Sequence, residues 1–238
     1  MSNIYTKTGD YGETHMGVHR ISKVHPIIDL MGGLDELSAH LGMVIALIRD
    51  NESVDNIATE KLVKPLMDAQ YILYVLSANI HKHFCKLSDT QIIVEPNYFG
   101  LQTLWTYIKS LYYPEKQETC GSHGFCELSR SVSPQKLETA RKSKNVISLE
   151  QSMDEMENSG LQPLRHFIRP TGNPCTCELH ICRTVCRRVE RLLWSTKEYQ
   201  NFDCYEDLVY LNRLSDWLFV CARYIKMLSN ENEEYFSM

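Results

Sequence analysis

The fold of this 238-residue chain is decided by the stretch Leu179-His180-Ile181-Cys182-Arg183-Thr184-Val185-Cys186-Arg187-Arg188-Val189-Glu190-Arg191-Leu192-Leu193. Its apolar side chains recur at alternating spacings of three and four residues, at Leu179, Cys182, Cys186, Val189 and Leu193. This spacing places them on one face of an α-helix, where they can pack against other helices. The stretch therefore predicts a long helix of a helical bundle.

Five further segments carry apolar residues at helical spacing, and the spacing is weak only at residues 101–111. They span residues 30–48, 62–80, 101–111, 147–156 and 211–225. A short polar link at Asp50–Asp55 joins the first two, so we expect these helices to pack antiparallel. No strand pair or βαβ pattern is recognisable. The predicted fold is all-α, an up-and-down bundle of about five helices in a single domain spanning residues 1–238.

Two parts of the chain depart from this pattern. Residues 4–25 are polar and contain Gly9, Gly12 and Gly17, which predicts a loop with turns that a bound ligand would order. Between residues 83 and 145 the helical spacing is weak, with a loop expected from Tyr112 to Pro134. We interpret residues 83–145 as an inserted or divergent segment.

Charge and composition exclude several classes of function. The chain has 25 Lys and Arg against 30 Asp and Glu, a net charge of −5, which disfavours broad binding to nucleic acids or to anionic membranes. No run of 18 or more apolar residues occurs, which argues against a membrane span. Residues 1–10 show neither a signal sequence nor an Arg-rich leader, so a cytoplasmic protein is expected.

The nine cysteines allow two interpretations. Four of them lie close together in sequence and two lie in a Gly-containing loop: Cys175, Cys177, Cys182, Cys186, Cys120 and Cys126. A zinc site could be built from such a set, but there is no C-x-x-C pair, and Cys182 and Cys186 belong to the apolar face of a helix. Packing as small apolar side chains is the favoured interpretation, and no metal site is predicted.

A charged face lies opposite the apolar face of residues 179–193. Arg183, Arg187, Glu190 and Arg191 share it, and such a face is often only solvated and paired within its own helix. Polar stripes also occur on two other helices: Asn212, Arg213 and Asp216 on one, and Asp35, Ser38 and Gly42 on the other. Three such stripes can converge on one cleft, where arginines suit the binding of phosphates.

Three motifs resemble those of the PduO-type ATP:cob(I)alamin adenosyltransferases. The first is Thr6-Lys7-Thr8-Gly9-Asp10-Tyr11-Gly12-Glu13-Thr14, which is followed by Arg20, Lys23 and then Asp35-Glu36-Leu37. The second is the run Arg183 to Arg191, and the third is the run Tyr210 to Tyr224. The resemblance covers roughly residues 4–80 and 146–228. It implies transfer of the 5′-deoxyadenosyl group of ATP to the cobalt of cobalamin, forming adenosylcobalamin and triphosphate.

The resemblance also implies roles for individual residues. In this family the N-terminal loop, here residues 1–28, wraps the nucleotide, and Mg²⁺ accompanies ATP. The implied ATP contacts are Thr6, Lys7, Thr8, Gly9, Thr14, His15, Lys23, Arg187, Arg188, Glu190, Arg191 and Asn212. Arg187 and Glu190 count among the catalytic residues, together with Arg183 and Asp35, which are expected to form a salt bridge that supports the site. Phe167 matches an aromatic residue beneath the corrin ring, and a homotrimer with active sites between subunits is expected.

Some positions depart from the family pattern. The usual F-x-L-P-G-G-S reads Phe167-Ile168-Arg169-Pro170-Thr171-Gly172-Asn173 here, which introduces a charge where an apolar residue would face the corrin. The ATP motifs match better than this cobalamin motif. An alternative hypothesis is therefore a catalytically impaired family member that keeps the bundle, and ATP binding with it, and acts as a binding or regulatory module.

Overall fold

The computed structural model describes residues 5–52, 54–86, 133–200 and 202–236. Within them the chain forms six helices and one two-stranded sheet, in which β1 spans Glu13–Met16 and β2 spans His19–Ser22. The helices are α1 Pro26–Arg49, α2 Asn56–Phe84, α3 Pro134–Arg141, α4 Lys144–Asn158, α5 Pro174–Gln200 and α6 Tyr205–Leu228. The predicted all-α bundle is confirmed, with a small hairpin added at its N-terminal end.

Local sequence explains where the first two helices begin. Pro26 stands in the first turn of α1, where its missing N–H costs nothing, and the ring Nδ1 of His25 accepts from the amide of Ile27 at 3.2 Å. The carboxylate of Asp55 accepts from the amide of Ala58 at 2.7 Å and so caps α2. The link between the two helices, residues 50–55, is long enough only for a tight turn. As predicted, the two helices pack against each other.

The core lies where α1, α2, α5 and α6 meet. Helix α5 packs against both α1 and α6, while α3 and α4 cover another side of α6. The apolar positions predicted from the sequence are buried here, among them Leu34, Leu41, Leu66, Leu179 and Leu214. Trp217 is fully buried and its indole Nε1 donates to the hydroxyl of Ser152 at 3.0 Å, which satisfies its polar atom and joins α6 to α4.

The N-terminal hairpin corrects the expectation that no strands pair. Strands β1 and β2 are antiparallel, with Thr14 opposite Ile21 and His15 opposite Arg20. Each strand has four residues, too few for a period of two to be visible in sequence. Gly17 in the connecting turn has φ of +63°, and a Cβ there would lie 2.1 Å from the sulfur of Cys85, so glycine is required both by conformation and by space.

The described ends of the segment 83–145 are part of the bundle. Helix α2 continues to Phe84, which is fully buried, and α3 packs against α6 through the buried Ala140. The hydroxyl of Ser133 caps α3 by accepting from the amide of Lys136 at 3.4 Å. The predicted helix at residues 101–111 and nearly all of the predicted loop up to Pro134 lie outside the described residues.

Helix α1 shows that the length argument against a membrane span was too strong. Among the described residues, this one helix has the length and composition to cross a membrane. Core helices of globular proteins meet the same condition. In this structure Leu30, Leu37 and Val44 of α1 are fully buried between neighbouring helices.

The cysteines behave mainly as packing residues. Cys175, Cys182 and Cys186 are buried, whereas Cys177 is half-buried. Burial raises the pKa of Cys175 to about 12, so its sulfur stays a thiol near neutral pH. Within the described ranges no cluster of three His, Cys, Asp or Glu side chains could hold a metal ion. Cys120 and Cys126 lie outside those ranges.

Candidate functional site

The N-terminal loop is tied to the chain that leads into α1. The ammonium of Lys23 donates to the carbonyl of Gly9 at 2.7 Å, and Nη2 of Arg20 donates to the carbonyl of Thr8 at 2.7 Å. The hydroxyls of Thr6 and Thr8 lie 2.8 Å apart. These contacts fold the predicted nucleotide loop against the segment that leads into the first helix.

Lys7, Thr14 and His15 occupy different parts of this unit. Lys7 is exposed in the loop and has φ of +58°, a left-handed conformation that is unusual for lysine. Thr14 lies half-buried on β1, and His15 is exposed on the same strand. The predicted ATP contacts of the N-terminal segment therefore lie on one hairpin, in the loop before it and, for Lys23, in the link that follows it.

A cleft of about 540 Å³ opens beside this loop, at the N-terminal end of α1. Its charged lining side chains are Lys23, Asp29, Glu36 and Arg188, and its floor includes Gly32 and Gly33. A Cβ at Gly33 would lie 3.1 Å from a methyl group of Val189, so glycine lets α1 and α5 approach closely. The positive end of the α1 dipole adds to the two cations, which makes the cleft suitable for a phosphate chain.

Arg188 contacts Glu36 across this cleft through an ion pair between α5 and α1. Both side chains are nearly half exposed, at 46% and 44%, so the pair can open when a competing anion arrives. Glu36 belongs to the motif Asp35-Glu36-Leu37, but the sequence alone predicted no role for its side chain. Through this contact Glu36 positions Arg188, a side chain that is predicted to bind ATP.

A second group of polar side chains lies between α6 and another face of α5. The amide of Asn212 donates to the carboxylate of Glu190 at 3.3 Å, and Nη1 of Arg213 donates to the side-chain oxygen of Asn212 at 2.9 Å. Burial raises the pKa of Glu190, while the hydrogen bond from Asn212 and the charge of Arg187 oppose that shift. A cavity of about 210 Å³ beside them is also lined by Arg141.

Arg187 and Arg191 lie exposed next to this second group. Nη1 of Arg191 donates to the backbone carbonyl of Arg187 at 3.1 Å. The guanidinium of Arg187 makes no hydrogen bond or ion pair with another side chain of the described ranges. An exposed arginine beside an Asn–Glu pair is available to bind an anionic ligand.

The predicted ATP contacts therefore divide between two faces. Arg188 lies with Lys23, whereas Glu190 lies with Asn212. Two residues along a helix are a rotation of about 200°, so the two side chains point about 160° apart and lie on opposite faces of α5. A single site would need the N-terminal loop of one chain beside the Glu190 face of another.

Asp35 and Arg183 do not form an ion pair within the described chain. Asp35 is exposed, and Arg183 is half-buried with its guanidinium carbon 5.9 Å from the ring centroid of Phe219. The Nε of Arg183 is buried and has no hydrogen-bond partner. Burial, followed by the nearby charge of Arg187, lowers the pKa of Arg183. The expected pairing of neighbouring helices is absent in one chain, and a pair between two chains stays a prediction.

The turn that carries Phe167 lies near the C-terminal end of α6. Phe167 is 77% exposed, as a side chain meant to contact a ligand can be. Arg169 is exposed in the same turn. Its guanidinium carbon lies 5.1 Å from the ring centroid of Phe236.

Buried charges of α6, which the sequence analysis missed, anchor this turn. Nη2 of Arg223 donates to the carbonyl of Gln162 at 2.6 Å, and the ammonium of Lys226 donates to the carbonyl of Thr171 at 2.9 Å. Arg223 and Lys226 are only 6% and 4% exposed. Buried charges need partners. The sequence signal that could have revealed Arg223 and Lys226 is their position next to the apolar residues Cys221, Ala222 and Ile225.

Comparison with known proteins connects these features. A model of the family described as cobalamin adenosyltransferase matches residues 4–126 and 122–225, which is most of the chain. The chain belongs to the cobalamin adenosyltransferase family. The human corrinoid adenosyltransferase MMAB is 29% identical over 235 residues, covering 98% of this chain and 72% of the human protein. The corrinoid adenosyltransferase of Citrobacter freundii is 29% identical over 225 residues and covers 94% of both proteins.

Solved structures of this family share the fold. A variant of the PduO-type ATP:corrinoid adenosyltransferase from Lactobacillus reuteri, complexed with cobalamin and ATP, superposes with a TM-score of 0.67. The match covers 99% of this chain and 100% of that protein at 22% identity, which establishes the likeness of fold. Family membership thus agrees with the motifs at residues 6–14, 183–191 and 210–224.

Proposed function

We propose that the chain transfers the 5′-deoxyadenosyl group of ATP to cob(I)alamin. The electron pair of Co(I) forms the new cobalt–carbon bond to C5′, the C5′–O bond breaks, and its electron pair leaves with triphosphate. Cobalt passes from Co(I) to Co(III), so the substrate itself is the nucleophile. The protein has to bind both substrates, align C5′ with cobalt and stabilise the charge on the leaving triphosphate.

The observation that carries this proposal is the contact between Lys23 and Gly9 at the positive end of α1. It joins the T-K-T-G loop to a cleft that also contains Arg188, within one continuous surface. Two cations and a helix N-terminus suit a triphosphate and the negative charge that develops on it. The described lining of this cleft contains no serine, threonine or cysteine, and the proposed reaction needs no nucleophile from the protein.

Mg²⁺ is proposed to enter with the triphosphate. Magnesium is usually held by one or two carboxylates together with phosphate oxygens and water. Asp29 lines the same cleft as Lys23 and forms no ion pair with another described side chain, so its type and position fit that role. Glu36 is occupied by Arg188 until that pair opens.

A homotrimer with active sites between subunits is proposed because the ATP residues divide between two faces of α5. In such an assembly the loop with Lys23 would meet the Arg187, Glu190 and Asn212 face of a neighbour. The half-buried side chain of Arg183 forms no ion pair within the described chain, and Asp35 of a neighbouring copy could pair with its guanidinium. The pair would then join subunits instead of helices of one chain.

The exposed ring of Phe167 is the proposed contact with the corrin. An aromatic face in the position of the lower axial ligand would exclude water and leave cobalt four-coordinate. Removal of the lower axial ligand makes reduction of Co(II) to Co(I) easier, because Co(I) does not require an axial ligand. Arg169, which the sequence places in the same turn, is held against Phe236 and leaves this face apolar.

A catalytically impaired protein is the second candidate function. The observation that favours it is Thr171, which replaces the first glycine of the usual P-G-G, next to the charged Arg169. Such a protein would keep the bundle and ATP binding and act as a binding or regulatory module. The net charge of −5 supports the proposal that nucleic acids and anionic membranes are not partners in either case, and the cytoplasmic location stays a prediction.

One experiment separates the two. Cob(II)alamin is added to the protein with Mg-ATP, and absorption and electron paramagnetic resonance spectra are recorded for four-coordinate cobalt. Adenosylcobalamin is then followed after chemical reduction. Formation of both species supports the transferase. ATP binding without either species supports the impaired protein, and failure to bind ATP contradicts both.

A further inference from the structure

The C-terminal segment, residues 234–236, holds the turn that carries Phe167. The amide of Arg169 donates to the carbonyl of Glu234 at 2.7 Å, and the amide of Phe236 donates to the carbonyl of Phe167 at 3.0 Å. Ile168 and Tyr235 form an antiparallel bridge between these bonds. The backbone of the turn is thus fixed on both sides of Ile168.

The segment reaches the turn through a defined reversal at the end of α6. Asn230 has φ of +54°, and the amide of Glu231 donates to the carbonyl of Lys226 at 3.0 Å, as in a helix C-cap. The carboxylate of Glu231 then accepts from the side-chain amide of Asn173 at 2.8 Å. Glu233 is paired with the buried Arg223, so the chain is anchored immediately before residue 234.

Side chains complete this contact. The guanidinium of Arg169 lies over the ring of Phe236, within the range of a cation–π interaction. Phe167 in the same turn stays 77% exposed. A charge released beside Phe167 would have to be desolvated when an apolar ring stacks there, which would weaken binding.

We infer that Phe236 is a positioning residue that holds the Arg169 guanidinium away from the exposed face of Phe167. The turn can then present an apolar face to a corrin ring although it contains a charge. The identity of the ligand rests on the proposed function, whereas the contact between the C-terminal segment and the turn does not. Arg169 and Phe236 therefore act as a pair, and the effect of removing Phe236 should be corrected by removing Arg169 as well.

The first test measures ligand binding in four variants. Phe236→Ala is expected to weaken the binding of cob(II)alamin, measured with saturating Mg-ATP, by about two- to fivefold, the loss that corresponds to an exposed cation–π contact. It should also lower the four-coordinate fraction in the spectrum. Phe236→Trp should preserve both values, because tryptophan is the best partner for a guanidinium. Arg169→Leu should not weaken binding, and it should restore binding when combined with Phe236→Ala.

Tyr235→Phe is the matched control. It removes a hydroxyl from the same segment, the one that donates to Glu233 at 2.8 Å, and leaves the Arg169 contact intact. ATP affinity should remain unchanged in every variant. A double variant as weak as Phe236→Ala, or Phe236→Ala with wild-type binding and spectrum, would overturn the inference.

The second test does not depend on cobalamin. Hydrogen exchange of residues 166–170 is measured in the wild type, in Phe236→Ala and in a chain that ends at Glu233. The shortened chain keeps the Arg223–Glu233 ion pair but loses both backbone bonds, so the Arg169 amide should exchange about two- to tenfold faster. Unchanged exchange in the shortened chain overturns the positioning role. Faster exchange in a protein that does not bind cob(II)alamin supports the contact and contradicts the proposed function instead.

Discussion

Arg223 and Glu233 form an ion pair inside the protein, with Nε of the arginine 2.6 Å from a carboxylate oxygen and side chains that are 6% and 15% exposed. The pair joins α6 to the C-terminal segment, and the same guanidinium also binds the carbonyl of Gln162. A charge this deeply buried depends on its partner, because without it the cost of desolvation is not recovered.

Glu233→Ala should therefore lower the free energy of unfolding by about 3–5 kcal/mol, since it strands the buried guanidinium. Urea denaturation measures the change. Glu138→Ala is the control, because Glu138 pairs with Lys142 on the surface of α3 and its loss should cost less than about 1 kcal/mol. Equal effects of the two substitutions would show that the buried pair has no special role.

Arg187→Ala should weaken ATP binding while the fold persists. Its guanidinium is exposed and forms no hydrogen bond or ion pair with another described side chain, so stability should depend little on it. Loss of a charged hydrogen bond to the nucleotide should cost about 1.5–3 kcal/mol of binding. Calorimetric titration with Mg-ATP measures this. Arg49→Ala, at the exposed end of α1, is a control of equal charge. Wild-type affinity in the Arg187 variant would remove this residue from the site.

Substitution of Asp35 or Arg183 should change the oligomeric state of the protein. If they pair between chains, Asp35→Arg should lower the molar mass seen in sedimentation and lower the melting temperature more than Arg187→Ala does. The exchange of both charges, Asp35→Arg with Arg183→Asp, should recover part of the mass. Arg183 is half-buried, so stranding it should cost roughly 3–5 kcal/mol. Unchanged mass and stability in Asp35→Arg would contradict the pair.

Sequence periodicity was sufficient for the main helices because each has a long apolar face. Leu179, Cys186 and Leu193 occupy the same face in the structure as in the prediction. The strands around Gly17 and the eight residues of α3 are too short to show a period, and tertiary contacts determine them.

The sequence named individual residues of the candidate site but not their partners from distant parts of the chain. Lys23 and Arg188 line one cleft, and their predicted role in ATP binding stays a prediction; the partner of Arg188 on α1 could not be deduced from spacing within α5. The contact of Arg169 with Phe236 spans 67 residues of sequence and depends on how the chain turns after α6. Long-range contacts of this kind leave no local pattern.

His180 should make the protein less stable in acid. It is 7% exposed on α5, and burial, followed by the charges of Arg183 and of Lys226 on α6, lowers its pKa to about 4. In the unfolded chain the ordinary pKa is about 6.5, so below that value the unfolded state binds the proton first. The contribution of neutral His180 to the free energy of unfolding is complete above a pH of about 6.5 and is lost as the pH falls towards 4.

His180→Gln should therefore reduce the fall in unfolding free energy between pH 7 and pH 4.5. Burial, with Glu206 nearby, raises the pKa of Asp207 to about 6, which acts in the opposite direction over part of this range. The comparison must for that reason be made between variants at each pH. His81→Gln, an exposed position on α2, is the control. An unchanged pH dependence in His180→Gln would contradict this source of acid sensitivity.

Phe167→Ala should separate the two substrates. The ring is exposed on a turn whose backbone is fixed by Glu234 and Phe236, so its loss should leave the fold and Mg-ATP affinity unchanged. Cob(II)alamin would lose an apolar stacking surface worth about 1.5–3 kcal/mol, and water could reach the lower face of cobalt. The four-coordinate signal should therefore decline more than the binding itself. Leu164→Ala, another exposed apolar residue of the same loop, should preserve that signal. If both variants lose it equally, the loop as a whole contacts the corrin, and if neither does, Phe167 is not the group that excludes the lower ligand.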